Sequence, residues 1–320
     1  MVFPVLPALL RRLAFCHIFM AFFLVCLGAP RVWAGDGVAV VLSDRGGVYG
    51  EFFDALNAAL AQSGVRRSVK LAGVAGQHLD GAELGNAALV LAVGVKAGQA
   101  VNHMELGVPV LHVLVPRQAY EHLEMGRRHG GQSAIYLDQP LSRQLGLMRL
   151  IMPGKHKVAV LVGPDSAAQQ GHLRSAAAHQ GLEVQTEQIS NGADIVPVLN
   201  RLLPLSDMLW ALPDSMVYTR ETARPILLTT YRFRRPVFGF SQAYVAAGAL
   251  AAVYSSPQHI ARQVGDWLRA MPAGRVQLPA PQYPAYFNVA VNRSVARSLG
   301  LEVGDEHSLA EALAKGGDGE

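Results

Sequence analysis

Residues 38–61, VAVVLSDRGGVYGEFFDALNAALA, decide how the chain is read. The run to Leu42 is apolar without alternation, the pattern of a strand covered on both faces, as in a parallel sheet. A polar turn, Ser43-Asp44-Arg45-Gly46-Gly47, separates it from an amphipathic segment that reaches Ala61. Strand, turn and helix in that order make one step of an α/β fold.

Working outward, the step recurs. SVKLAGV (68–74) and ALVLAV (88–93) read as strands, VKAGQAVNHME as a helix and PVLHVLV (109–115) as another strand. The grammar then starts afresh. QPLSRQLGLMRLIMPG (139–154) reads as a helix stopped by Pro153-Gly154, KVAVLVG (157–163) as a strand, and 165–180 as a helix closed by Gly181. LEVQTEQI (182–189), a helix near 193–203, DMLWAL (207–212), a helix to Tyr231 and PVFGFS (236–241) follow. Two such series predict an α/β protein of two doubly wound, Rossmann-like lobes with parallel sheets. GRRHGGQSAIYLDQP (126–140), a loop followed by a strand, holds the first crossover between them.

Ser241 is expected to lead into a small-residue helix, Ser256-Pro257 to begin another, LPAPQYPAYFNVAV (278–291) to be extended, and 292–299 to be a helix closed by Gly300. These elements are too few for a third domain, so they complete the two lobes through several crossings and a hinge. KGGDGE (315–320) is expected to be a disordered tail.

Residues 1–34 carry Arg11 and Arg12, an apolar stretch from Leu13 to Gly28, and Val32-Trp33-Ala34, a small-residue cleavage pattern. They read as a secretory signal peptide cut after Ala34; the alternative is a retained membrane anchor. The leader holds three arginines and no acid, so its removal takes the formal charge from +4 to +1. With no Lys/Arg run left, nucleic acid is not an expected partner. Cys16 and Cys26 leave with the leader, so the rest needs no disulfide and has no thiol nucleophile or metal ligand. No later segment is long and apolar enough to span a bilayer, which predicts a soluble, periplasmic domain.

Gly239-Phe240-Ser241-Gln242-Ala243 has the outline of a nucleophile elbow, and Asp266 with His307 would complete an esterase triad, but the fifth position is Ala where Gly is usual. No G-x-G-x-x-G follows the first strand, the 43–47 turn suits phosphate only if Arg45 outweighs Asp44, and Gly94 to Gly98 lacks P-loop spacing. The histidines form no H-x-x-x-H pair with a third ligand. No cofactor or metal is therefore expected.

What remains lies at strand ends, where ligands bind in such folds. These residues are Ser43, Asp44 and Tyr49; Gly94, Val95 and Lys96; Arg117 and Gln118; Tyr136 and Asp138; then Asp165, Asp214, Ser215, Tyr218, Ser241 and Tyr244. Aromatic walls with carboxylates and hydroxyls suit a small ligand with an ammonium and an apolar body. No general-base pair stands among them, which predicts binding without turnover.

At these residues the chain resembles the periplasmic substrate-binding proteins of ABC importers, in the type I branch that includes tryptophan- and phenylalanine-binding members. The resemblance is carried by LAVGVKAGQA (91–100), VPVLHVLVPRQAYE (108–121), IYLDQPLSRQLGLMRLIMPG (135–154), LWALPDSMVYTRETARPILL (209–228), PVFGFSQAYVAAGALAAVYSSPQHIARQVGDWL (236–268) and VNRSVARSLGL (291–301). Where that family often has a hydroxyl residue after the glycine of the first motif, this chain has Val95. The resemblance implies lobe 1 over 36–137 plus about 253–285, lobe 2 over 138–252 plus about 286–314, and hinge residues Leu137 and Val253. It implies a non-enzymatic, monomeric protein that closes on a small molecule, such as an amino acid or related metabolite, and delivers it to an ABC permease. A sensory protein that presents ligand to a membrane receptor or kinase is the alternative.

Overall fold

The computed structural model describes residues 37–62, 68–125, 131–272, 274 and 276–316; the expected leader, 1–34, lies outside them. Two sheets form separate lobes. In lobe 1, β1 (Val38–Leu42), β2 (Val69–Val74), β3 (Leu89–Val93), β4 (Val110–Val115) and β5 (Gln132–Tyr136) lie in the order β2-β1-β3-β4-β5. All their pairings are parallel. Every residue of β1, β3 and β4 is buried, as continuously apolar strands require, whereas the edge strand β2 is mostly open.

Helices cover both faces of this sheet: α1 (Gly47–Gln62), α2 (Gly81–Gly85), α3 (Val95–His103) and α4 (Arg117–Met125). One face packs Phe52, Leu56 and Leu60 of α1 against the sheet, and the other packs Ala97 and Val101 of α3. Within β4 the pairing slips between Val113 and Val115 around Leu114, which is buried with φ +53°. A left-handed leucine is costly, so the core must hold this bulge in place.

Lobe 2 contains β6 (Lys157–Val162), β7 (Glu183–Gln188), β8 (Met208–Trp210), β9 (Val237–Gly239), β10 (Ala251–Tyr254) and β11 (Asn288–Val291), ordered β11-β10-β9-β8-β6-β7. The β10–β11 pair is antiparallel and the rest are parallel, so this sheet is mixed at one edge. Its faces are covered by α5 (Leu141–Ile151), α6 (Gln170–His179), α7 (Ile195–Leu202), α8 (Arg220–Arg232), α9 (Gln242–Ala247), α11 (Arg293–Leu299) and α12 (Glu306–Gly316). α10 (Pro257–Ala270) lies in lobe 1, with Ile260, Val264 and Leu268 against the leucines of α1. Ser256 and His259 form its capping box.

Several expectations are corrected. The small-residue helix after Ser241 stops at Gly248, whose φ of +130° suits glycine, and Ala251–Tyr254 return as a buried strand. Val253 is therefore not at a crossing: it lies inside β10, paired with Val289. Residues 165–180 start with a 3₁₀ turn at Ala167–Gln169 before α6. Lys315 and Gly316 belong to α12 rather than to a disordered tail, and 317–320 lie outside the described residues.

Candidate functional site

The described chain passes between the lobes at 137–140, 255–256 and 283–287. It leaves lobe 1 after Tyr136 and lobe 2 after Tyr254, each time from the carboxyl end of a strand. Because the other strands of each sheet run with these (β11 excepted), the carboxyl edges of both sheets face the crossings, and a cleft lies between them.

A buried polar cluster ties the crossings together. Arg143 donates to Gln139 Oε1 at 2.6 Å and to the Pro284 carbonyl at 3.1 Å, and its guanidinium lies 4.0 Å from the Phe287 ring centre. Gln139 donates to Ser255 Oγ at 2.8 Å, and that hydroxyl donates to the Tyr286 carbonyl at 2.6 Å. Each of the three crossings is thus bonded to another. Leu137, expected at the hinge, sits in the first crossing, 42% exposed, with its N–H on the Val115 carbonyl. Across the cleft, Gln169 Nε2 donates to Gln118 Oε1 at 3.2 Å.

In lobe 1, Ser43, Tyr49 and Gly94 are brought together. Ser43 Oγ accepts from Ala97 N at 3.0 Å and so caps α3, since the residue at the cap position, Gly94, has no side chain to do it. Gly94 has φ +87°, and a Cβ there would meet Ser43 Oγ and Tyr49 Cε1 at 2.5 Å. Val95 packs against the cluster that holds Tyr120 and Tyr136. Tyr136 packs between Tyr120, tilted at 5.9 Å, and Tyr283, edge-on at 5.3 Å, and burial pushes its phenol up. Asp138 accepts from Arg117 N; burial pushes its carboxyl up against the pull of that bond. Asp44 Oδ1 accepts from Gly46 N at 2.9 Å, closing the turn.

In lobe 2, Asp214 is a buried junction of the fold. Its Oδ2 accepts from Gly163 N, Asp165 N, Ser166 N and Ser166 Oγ at 2.8–3.2 Å. Oδ1 accepts from Met216 N and Val217 N at 3.0 and 3.2 Å. The carboxylate thereby fastens the loop after β6 to the loop after β8. Asp165 accepts from Ser215 N at 2.8 Å, and the bonds from Ser215 pull its carboxyl down. Tyr218, Phe240 and Tyr244 cluster with centroids 5.4–5.9 Å apart, and the enclosed hydroxyls of Tyr218 and Tyr244 find no hydrogen-bond partner among the described residues. Burial pushes both phenols up.

Ser241 Oγ accepts from Tyr244 N at 3.2 Å and caps α9. The esterase constellation is not assembled around it. Asp266 lies on α10 in lobe 1, accepting from Arg269 and Tyr286, and His307 pairs with Glu311 on α12 at 3.1 Å.

At the carboxyl edge of lobe 1 a cavity of about 580 Å³ opens between the 43–45 turn, the 74–77 turn and the start of α3. Lys96 lines it as expected, and so do Arg45 and Gln77, which sequence reasoning did not place in a site. The buried cluster of Gln139, Arg143 and Ser255 was also missed. Its signal was an arginine on the otherwise apolar side of α5, four residues after Gln139. Among the described residues no helix is long and apolar enough to cross a membrane, and no group of three or more His, Cys, Asp or Glu could hold a metal ion.

The sequence profile of a family described as ABC transporter substrate binding protein matches residues 131–313, more than half of the chain. No curated protein matches significantly. Among solved structures, a ligand-free, open substrate-binding protein with adhesive properties from Clostridium difficile is similar at 14% identity and TM-score 0.66, covering 84% of this chain and 96% of its own. The ABC domain from Streptococcus pneumoniae in complex with L-Trp is similar at 15% identity and TM-score 0.58, covering 87% and 98%. A chain of the XylFII–LytSN complex is similar at 11% identity and TM-score 0.52, covering 81% and 99%.

Proposed function

As the chain belongs to the ABC transporter substrate-binding protein family, we propose that it is an exported, periplasmic protein that captures a small molecule between its lobes and delivers it to an ABC importer. The observation that carries this reading is the cleft between the facing carboxyl edges, spanned by crossings that are bonded to one another through Arg143, Gln139 and Ser255. Such an arrangement lets the lobes move as bodies about a defined axis, so a ligand that touches both walls shifts the open–closed equilibrium by its preference for the closed form.

Candidate cleft groups are Ser43, Asp44, Tyr49, Gly94 and Val95 from lobe 1, Tyr136 and Asp138 at the first crossing, and Ser215, Tyr218, Ser241 and Tyr244 from lobe 2. Asp214 supports the lobe 2 wall from behind, because its oxygens already accept from the chain. The four carboxylates that were expected to meet an ammonium (Asp44, Asp138, Asp165 and Asp214) each accept from backbone N–H groups. An amino acid or related metabolite remains a fitting solute, with its charged groups met by other partners.

Thermal-shift and calorimetric titration against a library of amino acids and small metabolites tests the reading. One or more compounds should stabilise the protein and reduce its radius of gyration in solution scattering. A folded protein that no compound in a broad library stabilises or compacts overturns it.

A further inference from the structure

The turn Ser43-Asp44-Arg45 and the residues from Gly94 to Gly98 are unremarkable for phosphate binding when each is taken alone in the sequence. The fold makes them neighbours. Residue 43 follows β1 and residue 96 lies in the first turn of α3 after β3, and β1 and β3 are paired, so Arg45 and Lys96 line one cavity. Its lining contains these two cations and a single acid, Asp44, one of whose oxygens closes the turn onto Gly46 N. Neither cation makes an ion pair among the described residues. Gln77 adds an amide from the opposite turn. The amino-terminal end of α3, with its partial positive charge, points the same way.

Charge elsewhere in the cleft agrees. Asp138 and Asp214 face protein donors, and the exposed Asp165 of lobe 2 accepts from Ser215 N. Arg117 is bound to Glu121 at 3.0 Å and Tyr283 at 2.9 Å. The charge that lines this cavity is therefore net positive, Arg45 and Lys96 against Asp44, and two cations with an amide donor fit an anionic oxygen cluster.

We propose that the cavity bounded by Arg45, Gln77 and Lys96 is an anion subsite that receives a carboxylate or phosphate group of the captured solute. This rests on the solute-binding reading and adds the charge of the group that enters lobe 1.

The test uses the purified protein, labelled with ¹⁵N, and the variants Arg45→Gln and Lys96→Gln. Both side chains are exposed, so the variants should keep the fold, which circular dichroism checks. Inorganic phosphate is one probe; acetate and succinate are the carboxylate arm, with acetamide and succinamide as neutral controls. Phosphate or a carboxylate should shift the amides of residues 45, 46, 77 and 96, and the amide controls should not. Affinity should fall about five- to tenfold in each variant and fall again as salt rises. The arm that binds tells carboxylate from phosphate.

Anion binding that is unchanged in both variants, or the absence of shifts at these amides with every anion, overturns the subsite. A neutral solute from the library that binds wild type and variants equally also overturns it, while leaving solute capture intact. Anion binding that depends on Arg45 and Lys96, beside a library without any stabilising solute, upholds the subsite and counts against capture.

Discussion

Asp214 offers the sharpest test of the division between wall and support. Replacing it with Ala removes six hydrogen bonds, from Gly163 N, Asp165 N, Ser166 N, Ser166 Oγ, Met216 N and Val217 N; of these donors Gly163 N keeps Ser166 Oγ and Ser166 N keeps the Gly163 carbonyl as a second acceptor. Four of these bonds are buried, and a hydrogen bond contributes about 1 kcal/mol net, so Asp214→Ala should lose about 4 kcal/mol. In a chain of this size that is a fall in Tm of about 8–16 °C. Asp214→Asn keeps one oxygen. Turned towards Gly163 and Ser166, it satisfies that side and sets an NH₂ against the Met216 and Val217 N–H groups, for about 2 kcal/mol. Differential scanning calorimetry of both variants should therefore show a graded loss, Ala worse than Asn. An Ala variant within about 2 °C of wild type would refute the junction. If that variant also lost solute binding, the carboxylate would belong to the ligand.

Three further outcomes follow from the geometry. Gly94→Ala combines a positive φ with a Cβ that meets Ser43 and Tyr49, so it should destabilise by about 1–3 kcal/mol in thermal melts; an unchanged Tm would mean that this corner is not tight. Arg143→Met leaves the Gln139 and Pro284 oxygens without that donor and should cost about 2–4 kcal/mol, with faster proteolysis at the crossings than elsewhere; uniform proteolysis would contradict its role as a tie. His259 is held below the usual imidazole range by burial and then by Arg262, so below about pH 6.5 the unfolded chain takes up a proton more readily than the folded one. Stability should therefore fall as pH drops from 7.5 to about 5 in urea titrations, and His259→Gln, which keeps a capping box, should flatten that slope. Parallel slopes in the two proteins would refute it.

The two α/β series were legible because each rests on local pattern: runs such as VAVVL and KVAVLV bury every or nearly every side chain, and turns such as Pro153-Gly154 punctuate them. β10 was not legible. Ala251-Ala252-Val253-Tyr254 follows a helical run of similar composition, and only the slot between β9 and β11 makes it a strand. The candidate site was legible as a set of strand ends, and the structure brings Ser43, Tyr49 and Gly94 together. What could not be read was which polar groups were already engaged. Asp214 looks the same in sequence whether it faces solute or six chain donors from loops about 50 residues apart, and Arg45 gains meaning only when β3 brings Lys96 beside it. Arg143 and Ser255 meet across more than a hundred residues, through Gln139, so no periodicity announces them.

The contact between α1 and α10 bears on how the protein comes into being. The face of α1 that carries Phe52, Leu56 and Leu60 is completed by Ile260, Val264 and Leu268. Roughly 195 residues separate Gln62 from Pro257, so at ordinary synthesis rates lobe 1 waits about 10–40 s for its last helix. During that interval its leading half leaves the ribosome with an open apolar face, a form that translocation machinery or a chaperone can hold extended. A circular permutant that places 257–270 ahead of residue 38 would remove the delay, and lobe 1 would then close as soon as it emerged.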